Sequence, residues 1–304
     1  MVPMRIAVTG STGFIGSALV GSLLAEGHQV VRLVRHRSRT GPQRDGSVGV
    51  GWNPLLLQVD RAGLEGLDAV VHLAGAGIAD RRWTEAHKRD IRDSRVLGTE
   101  TLAGALAELK QPPKVLVSAS AVGYYGQTGD RVIDERSPAG EDFLARVCVD
   151  WEAAARPAAD AGVRVVHPRT GMVMDAGGGA GARLIPLFRL GLGGRLGSGE
   201  QYWSAISLAD HLAALRFLIE EDSLSGPVNL TGPDPVTNRE LTEALGRVLG
   251  RPTVFPVPGF ALKAVLGEMA VEVAGSHRVL PRRLEEAGFV FRHPDVEAIL
   301  RAAV

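Results

Sequence analysis

Apolar residues along the first 175 positions alternate between short continuous runs and longer stretches with helical spacing. The longer stretches repeat apolar residues every three or four positions and predict helices at Phe14–Glu26, Glu85–Leu109 and Phe143–Ala161. The runs between them predict strands buried on both faces of a sheet, namely Arg5–Thr9, Gln29–Arg35, Ala69–Ala74, Val115–Ser118 and Val163–His167. Strands that alternate with helices of this length predict βαβ units and a parallel sheet, and therefore an α/β fold.

The pattern becomes less regular after residue 175. Asp175–Arg183 is rich in glycine and predicts a flexible loop, and an apolar run at Leu184–Leu192 follows it. Helices are predicted near Leu208–Glu220 and Asn238–Gly250. We predict two domains, residues 1–175 and a smaller mixed substrate-cleft domain of residues 176–304. The pattern leaves open whether the second domain interleaves with the first or embellishes one continuous domain.

Composition narrows the classes of protein that fit this pattern. The 34 basic and 34 acidic side chains give a formal net charge of zero, which argues against a nucleic-acid-binding protein. A single cysteine, Cys148, excludes an intramolecular disulfide and fits a reducing compartment. No apolar run reaches the roughly 18 residues of a membrane span, and the N-terminus lacks the features of a signal peptide. The eight histidines show no metal-binding spacing, so we expect a cytoplasmic protein with a small-molecule substrate and no metal site.

A glycine-rich motif joins the first predicted strand to the first predicted helix. It comprises Gly10, Ser11, Thr12, Gly13, Phe14, Ile15 and Gly16. The first glycine permits the tight turn, the second lets a pyrophosphate approach the backbone, and the third lets the helix pack closely on the sheet. The free N–H groups and the positive dipole end of the helix then favour phosphate binding. An ordinary glycine-rich turn is the alternative, but the flanking strand and helix predict a Rossmann-type doubly wound sheet that binds a dinucleotide.

The end of the second predicted strand indicates which dinucleotide binds. A site for NAD usually places Asp or Glu here, against the ribose 2′-hydroxyl. The segment Val30–Arg39 instead contains no acid and four arginines, and guanidinium groups suit a 2′-phosphate. We therefore predict NADP(H) as the cofactor, with Arg35 as the main ligand of that phosphate. Val34, Ser38 and Arg37 are further candidates around it, and a solvated basic loop is the alternative.

The sequence resembles the extended short-chain dehydrogenase/reductases, the group of sugar-nucleotide epimerases and dehydratases. The shared motifs are Thr9–Gly16, His72–Gly75 at the fourth strand of that family, and Ser118–Val122 with Tyr125-Gly126 at the fifth. The sequence is more similar still to an atypical epimerase-like subgroup. The motifs of that closer resemblance run almost from end to end: Arg82–Thr84, Ile91–Arg95, Ala121–Gly126, Trp151–Ala154, Pro168–Gly171, Gly191–Gly194, Gly199–Gln201, Leu280-Pro281 and Gly288-Phe289.

The resemblance implies further contacts with the cofactor. They are Leu73, Ala74 and Gly75 in the adenine-ribose and pyrophosphate groove, Ser118 and Pro168 on the nicotinamide side, and Arg95 and Asp90 on the adjoining helix. An arginine beside the groove is able to meet a phosphate. An ion-pair face on the surface of an arginine-rich helix explains Arg95 and Asp90 equally well, so both interpretations stay open at this point.

The residues that usually transfer the proton in this family are missing. Typical members use a Tyr-x-x-x-Lys pair on the helix after the fifth strand, in which the lysine lowers the pKa of the tyrosine. None of the three tyrosines in this sequence has a lysine four residues later. Alignment on Trp151-Glu152 places Leu144 and Cys148 at the two positions. We expect Cys148 to be a packed core thiol, because it falls in an apolar helical pattern with no neighbouring base.

Two residues near the end of the fifth strand are the catalytic candidates. Ser120 matches the helper serine or threonine of the family, and Tyr124 lies at the same mouth. A hydrogen bond to the loop is the alternative for Ser120, which is a poor acid without a tyrosine partner, and a pocket-shaping role is the alternative for Tyr124. In the second domain, the resemblance suggests Gln201, Trp203 and Asn229 as contacts of a substrate.

Two functions from different classes fit these features. One is an NADP(H)-binding epimerase or oxidoreductase-like protein that acts on a small hydroxyl or carbonyl compound or a nucleotide sugar, without the usual Tyr–Lys pair. The other is a non-catalytic NADP(H)-binding sensor or partner-binding protein, because a fold does not by itself determine function. The missing pair favours the second, and the substrate-like second domain favours the first. We expect no nucleic-acid or membrane partner in either case.

Overall fold

A parallel sheet forms the centre of the protein in the computed structural model, which describes residues 2–304 apart from the side chain of Arg37. Within that range, seven parallel strands build the sheet: β1 (Arg5–Thr9), β2 (Gln29–Val34), β3 (Val48–Asn53), β4 (Ala69–His72), β5 (Val115–Ser118), β6 (Arg164–Thr170) and β7 (Gly226–Leu230). Short strands at Gly41–Pro42, Gln58–Val59 and Ser120–Ala121 pair with them. The order across the sheet is β3-β2-β1-β4-β5-β6-β7, which confirms the predicted Rossmann-type doubly wound α/β fold.

Helices cover both faces of the sheet and enclose two hydrophobic cores. Along the chain the helices are α1 (Phe14–Ala25), α2 (Glu85–Ala107), α3 (Phe143–Ala153), α4 (Arg156–Asp160), α5 (Gly181–Arg189), α6 (Leu208–Glu220), α7 (Asn238–Leu249), α8 (Gly259–Leu266), α9 (Ala270–Val273), α10 (Arg282–Glu286) and α11 (Val296–Ala303). α1 and α6 share one core with Ile6 of β1, and α2 and α4 share the other with Ala7, because successive residues of a strand point to opposite faces. None of the helices described between residues 2 and 304 is long and apolar enough to cross a membrane.

Several element boundaries differ from the prediction for local reasons. The predicted helix Phe143–Ala161 is divided into α3 and α4, because Pro157 stands in the first turn of a new helix, where its missing N–H is tolerated. β6 extends beyond the predicted strand, so Pro168 lies within it and not after it. β6 pairs with β5 only as far as Val166. The missing N–H of Pro168 therefore removes no hydrogen bond to β5. The sequence pattern does not predict β3 or β7, in which glycine or proline interrupts the apolar run.

A smaller mixed region continues from the carboxyl end of β6. Its short paired strands are Met172–Asp175 with Gly178–Gly179 and Ala205–Ser207, Tyr202–Trp203 with Val236–Thr237, and Arg278–Val279 with Val132–Ile133. α5, α7 and α11 enclose a third hydrophobic core beside these strands. In the sequence, α6 and β7 lie between these segments. In the structure, β7 pairs in the large sheet and α6 packs against it, so the two regions interleave.

The glycine-rich stretch Asp175–Arg183 packs against the first turn of α1. The expectation of a flexible loop is corrected here, because the stretch contains a short strand and the start of α5. A Cβ at Gly178 would lie 2.2 Å from the ring of Phe14, so only glycine allows so close an approach. The stretch therefore covers one side of the candidate phosphate site.

Candidate dinucleotide site and substrate cleft

The glycine-rich motif turns tightly from β1 into α1. Gly10 has a φ of +62°, and a Cβ there would lie 2.8 Å from the carbonyl oxygen of Leu73. A Cβ at Gly16 would lie 2.2 Å from the carbonyl oxygen of Gly10, so both positions require glycine. Gly13 is the N-cap of α1 and supplies no side chain, which leaves the first backbone N–H groups of the helix open to a phosphate.

A buried threonine and histidine fix the neighbouring strand end. The Thr9 hydroxyl accepts hydrogen bonds from the backbone N–H groups of Leu73 and Ala74, both at 3.0 Å. Burial lowers the pKa of His72 to about 4, so its ring is neutral, and its Nδ1 is hydrogen-bonded to the Thr9 hydroxyl at 2.7 Å. Leu73, Ala74 and Gly75 are therefore held next to the glycine-rich motif.

The arginines of β2 and the turn after it differ in what they contact. Arg32 donates to the Ser11 carbonyl oxygen at 3.0 Å and to the Ser47 hydroxyl at 2.8 Å. It also pairs with Asp45, whose pKa is lowered to about 2, mainly by hydrogen bonds from Ser47. Arg35 is exposed and has no hydrogen bond or ion pair with the described part of the chain. The guanidinium of Arg35 is thus available for a phosphate, whereas that of Arg32 is already engaged.

The other residues predicted near the adenosine end surround the same turn. Thr12 is exposed at its tip, and Ile15 is half-buried in the first turn of α1. Val34 is buried at the end of β2, and Ser38 is exposed just beyond it. The side chain of Arg37 lies outside the described residues, so its predicted contact stays a prediction.

Arg95 lies beside the groove, and Asp90 does not pair with it. Nη1 of Arg95 donates to the carbonyl oxygens of Ala76 and Ile91 at 2.9 and 3.0 Å. The guanidinium lies next to Gly75, where a Cβ would be 3.3 Å from Cζ of Arg95. Asp90 is exposed, and within residues 2–304 it has no hydrogen bond or ion pair. The alternative of a surface ion-pair face therefore does not account for Arg95.

Ser118 and Pro168, expected on the nicotinamide side, lie on adjacent strands of the sheet. Ser118 ends β5, Pro168 lies in β6, and both are buried. The Ser118 hydroxyl has no hydrogen-bond partner among the described residues, which leaves an unused polar group at this strand end.

A buried polar network connects β6, α3 and the segment after β5. Arg169 of β6 makes two hydrogen bonds of 2.8 Å to the carboxylate of Glu152 on α3. The Ser120 hydroxyl donates to the same carboxylate at 2.7 Å. Arg169 also donates to the Tyr125 hydroxyl at 3.1 Å, and that hydroxyl donates to Asn229 at 2.7 Å. Sequence reasoning missed Glu152 and Arg169 as members of the site, although both lie in motifs of the closer resemblance.

This network determines what the two catalytic candidates can offer a substrate. The proton of Ser120 is already donated to Glu152, so Ser120 presents lone pairs. Tyr124 packs its ring against the Arg169 guanidinium, with 3.3 Å between Cζ and the ring centroid. Among residues 2–304 the Tyr124 hydroxyl has no hydrogen-bond partner. Burial raises the pKa of the neighbouring Tyr125 to about 12, and its hydroxyl is already donated to Asn229. Of these two adjacent tyrosines, Tyr124 is therefore the one with a free O–H group.

Leu144 and Cys148 stand on α3 at the positions of the missing Tyr–Lys pair. Leu144 is buried and lies against Gly123 of the segment after β5. The Cys148 thiol is buried as well, and its Sγ lies 3.8 Å from the carbonyl oxygen of Ala121. Burial and the charge of Glu152 raise its pKa to about 12, so the thiol is neutral at physiological pH. The expectation of a packed core thiol is confirmed.

The three substrate candidates are more buried than residues on the surface of a cleft would be. Gln201 is half-buried and donates to the carbonyl oxygen of Leu196 at 3.0 Å. Trp203 is half-buried and packs against the third core. Asn229 is fully buried, with its Nδ2 donating to the carbonyl oxygen of Leu280 at 2.9 Å. Both ends of the Asn229 amide are hydrogen-bonded, so Asn229 stabilises the network from within the core.

A cavity of about 480 Å³ lies beside Tyr125. Its wall is the segment of residues 125–142, which includes the polar side chains of Gln127, Arg131 and Asp142. Burial and the nearby carboxylate of Asp142 raise the pKa of Glu272 on α9 to about 7. In the described part of the chain, no group of three potential metal ligands lies together. The cavity therefore offers space for an organic molecule of modest size with polar groups.

The fold and these sites together define a class of protein. A parallel sheet of this order with a glycine cradle at the end of β1 and an unpaired arginine just past β2 is typical of a Rossmann-type dinucleotide-binding protein. The residues present fit a dinucleotide, because the backbone at Gly10 and Gly16 packs too closely for a side chain and the first N–H groups of α1 are left uncapped.

Comparison with known proteins gives the family. A model of the NAD dependent epimerase/dehydratase family matches residues 6–230. A model of DUF1731, a domain of unknown function, matches residues 257–303. The chain belongs to the NAD-dependent epimerase/dehydratase family, and the resemblance found in its motifs is confirmed.

Relatives that match almost the whole chain carry the name epimerase family protein. The chain is 50% identical over 289 residues to MT2273 of Mycobacterium tuberculosis, covering 95% of this chain and 93% of the relative. It is 40% identical over 308 residues to the chloroplastic SDR39U1 homolog of Arabidopsis thaliana, with 98% and 86% covered. The crystal structure of human epimerase family protein SDR39U1 (isoform 2) with NADPH matches at a TM-score of 0.90 and 36% identity, over 99% of each chain.

Proposed function

We propose that this protein binds NADP(H) and acts as an epimerase or oxidoreductase-like enzyme on a small hydroxyl or carbonyl compound or a nucleotide sugar. The observation that carries the choice of cofactor is Arg35, an exposed guanidinium without a protein partner in the described chain, one residue past β2. An acidic residue there would repel a 2′-phosphate, whereas arginine attracts it through charge-assisted hydrogen bonds. The human relative crystallised with NADPH supports the same choice.

The proposed cofactor site follows the carboxyl edge of the sheet from β2 to β6. The phosphates are expected at the N-terminus of α1, where the backbone N–H groups are open. The residues proposed to contact the cofactor are Gly10, Ser11, Thr12, Gly13, Phe14, Ile15, Gly16, Val34, Arg35, Ser38, Leu73, Ala74, Gly75, Asp90, Arg95, Ser118 and Pro168.

The proposed reaction needs one hydride and one proton. NADP(H), when bound, supplies or accepts the hydride, and the residues of this chain hold the substrate and move the proton. Tyr124 is the proposed proton carrier, because its hydroxyl is free whereas that of Ser120 is committed to Glu152. Ser120 is proposed to accept a hydrogen bond from the substrate and so to orient it.

The substrate is proposed to bind where residues 176–304 meet the Rossmann sheet. Gln201 and Trp203 are the proposed contacts from that region, and Asn229 acts on the site through Tyr125. A cytoplasmic location is proposed as well, on the basis of the lone reduced cysteine.

A non-catalytic NADP(H)-binding sensor is the second candidate, and one observation favours it. Leu144 and Cys148 fill the place of the Tyr–Lys pair with buried groups that do not transfer protons. A protein under selection only for binding has no use for that pair. The two candidates differ in turnover and not in affinity for the cofactor.

A turnover assay distinguishes the two functions. The protein is incubated with NADPH and a panel of carbonyl compounds and nucleotide sugars, and the ultraviolet absorbance of the reduced nicotinamide is followed. For the enzyme, Tyr124→Phe should lower kcat by about 100-fold or more, because it removes the proton carrier. Tyr202→Phe, which removes a hydroxyl from a ring stacked on Arg278, is the matched control. Tight NADPH binding without oxidation by any member of the panel would favour the sensor.

A further inference from the structure

Arg95 is a half-buried cation without a counter-charge in the described chain. It lies on α2 and packs over the indole ring of Trp151, with 5.0 Å between Cζ and the ring centroid. Among residues 2–304 no carboxylate pairs with it. Burial lowers its pKa, but a guanidinium remains charged at neutral pH. A partly desolvated charge without a partner is unfavourable, so such a residue points to a ligand that pairs with it.

The Arg95 guanidinium lies beside the dinucleotide groove and keeps free donors. Nη1 is occupied by the carbonyl oxygens of Ala76 and Ile91. The N–H groups of Nε and Nη2 have no acceptor in the part of the chain that the structure describes. Gly75 lies directly against the guanidinium and has no side chain to cover it. The guanidinium therefore borders the groove and has two neighbouring donors without a partner in the described chain.

Cys148 connects this arginine with the missing lysine. It stands at the second position of the Tyr-x-x-x-Lys pattern on α3. Trp151, which lies over the Arg95 guanidinium, is three residues after Cys148 on the same helix, so Arg95 packs against α3 one turn from the thiol. A cysteine is much shorter than a lysine, and it leaves room for a guanidinium that enters from α2.

We propose that Arg95 supplies from α2 the positive charge that a lysine supplies from α3 in typical members of the family. It binds the hydroxyl oxygens of the nicotinamide riboside half of NADP(H). Two adjacent N–H groups on a planar guanidinium suit a pair of neighbouring oxygens. The role is binding and orientation, because a guanidinium does not release a proton at neutral pH. The inference rests on the cofactor site of the proposed function and not on turnover.

Binding of a cofactor fragment tests which half of NADP(H) Arg95 holds. Adenosine 2′-phosphate 5′-diphosphate keeps the adenosine, the 2′-phosphate and both bridging phosphates but lacks the nicotinamide riboside. In calorimetry, Arg95→Gln should weaken NADPH about tenfold or more, the loss of a charge-assisted hydrogen bond, and change the fragment less than about twofold. Unchanged fragment affinity also shows that the variant is folded. Equal weakening of both ligands, or unchanged NADPH affinity, overturns the proposal.

Arg92→Gln is the matched control for the loss of a positive charge. Arg92 lies one turn earlier on the same helix, is exposed, and pairs with Asp150 at 2.9 Å. Its removal should leave the affinity for both ligands within about twofold of the wild type. A loss of NADPH affinity equal to that of Arg95→Gln would show a general effect of charge on this helix and would overturn the specific role.

A rescue experiment tests the equivalence with lysine. Cys148→Lys added to Arg95→Gln returns a cation to α3 and should restore NADPH to within about threefold of the wild-type affinity. Cys148→Ser in the same background should restore nothing. If the double variant binds the fragment normally and NADPH stays weak, the equivalence is wrong. If the double variant does not fold, the single variant Arg95→Lys tests the role of the positive charge. It should bind NADPH more tightly than Arg95→Gln. Equal NADPH affinities of these two variants overturn the role of the charge.

Discussion

At the scale of single residues, the availability of a charged group depends on its contacts. Arg32 and Arg35 are three positions apart at the end of β2, and both are arginines in a basic stretch. Arg32 is bound to Ser11, Ser47 and Asp45, whereas Arg35 has no partner in the described chain. A count of arginines in the sequence predicts a basic strand end but not which side chain is free to bind a phosphate.

The first prediction at this scale is that Arg35 determines the preference for NADP(H) over NAD(H). Arg35→Ala should weaken NADPH by about 10- to 100-fold, the value of one or two charge-assisted hydrogen bonds, and leave NADH within about twofold. Calorimetric titration with both cofactors measures the two effects. Arg39→Ala, an exposed arginine four residues further on, is the control and should change neither affinity strongly. Equal weakening of NADPH and NADH would mean that Arg35 does not contact the 2′-phosphate.

At the scale of elements, regular apolar patterns predict strands and helices well, and glycine or proline obscures them. β1, β5 and α6 have the predicted bounds because their apolar residues follow one period without interruption. β3 contains Gly49, where a Cβ would lie 1.8 Å from the carbonyl oxygen of Arg39. That close approach is a tertiary requirement, and nothing in a local pattern separates such a glycine from a turn glycine.

The candidate site also contains one part that the sequence predicts and one part that it does not. The phosphate cradle lies within seven consecutive residues between a strand and a helix, so the sequence predicts it directly. The polar network instead joins Tyr125 to Asn229, 104 positions apart, and Ser120 to Glu152, 32 positions apart. Each of these residues has an ordinary polar side chain, and only the packing of β6 and β7 beside α3 brings them together. The network could not be predicted for that reason.

Glu152 links α3 to β6, and its loss should destabilise the protein strongly. Glu152→Gln removes the counter-charge of Arg169, whose side chain is 3% exposed. Breaking a buried ion pair in this way costs about 3–5 kcal/mol, because the remaining charge is left without a partner. Urea denaturation measures the free energy of unfolding of the variant and of the wild type.

The neighbouring acid Asp150 provides the control for this substitution. Asp150 is exposed and pairs with Arg92 at 2.9 Å, so Asp150→Asn should cost less than about 1 kcal/mol. Replacing both partners of the buried pair, as Glu152→Leu with Arg169→Met, should cost less than Glu152→Gln alone. If Glu152→Gln and Asp150→Asn destabilise equally, the buried pair does not hold the two elements together.

At the scale of the whole molecule, the chain returns repeatedly to the edge of the sheet where the candidate site lies. α6 and β7 follow the first strands of the smaller region in the sequence, but β7 pairs in the large sheet and α6 packs against it. The segment of α8 and α9 is tied back to the start of α2 by the ion pair of Lys88 with Glu268 and by a hydrogen bond from Arg82 to the Ala264 carbonyl oxygen. These two contacts hold the segment of α8 and α9 against the start of α2.

A further contact of this segment, between Glu272 of α9 and Asp142, should make the stability of the protein depend on pH. Burial and the charge of Asp142 raise the pKa of Glu272 from its ordinary value of 4.5 to about 7. Asp142 also faces His277, whose pKa burial lowers. Because the folded-state pKa of Glu272 is the higher one, its contribution to stability is fully present below about pH 4.5 and is lost as pH rises through about 7. Glu272→Gln removes this titration, so the variant should gain stability relative to the wild type between about pH 5 and about pH 8.

The measurement is the difference in the free energy of unfolding between variant and wild type at each pH. Burial lowers the pKa of His72 and of His211 to about 4, so these histidines contribute a pH dependence of the opposite sign, but they are present in both proteins and cancel in the difference. Glu268→Gln is the control, because Glu268 lies in the same segment, is exposed and pairs with Lys88. Its difference from the wild type should stay flat over this range. A flat difference for Glu272→Gln as well would mean that the carboxyl groups of Glu272 and Asp142 do not repel each other in the folded protein, and that the contact between α9 and the start of α3 is independent of pH.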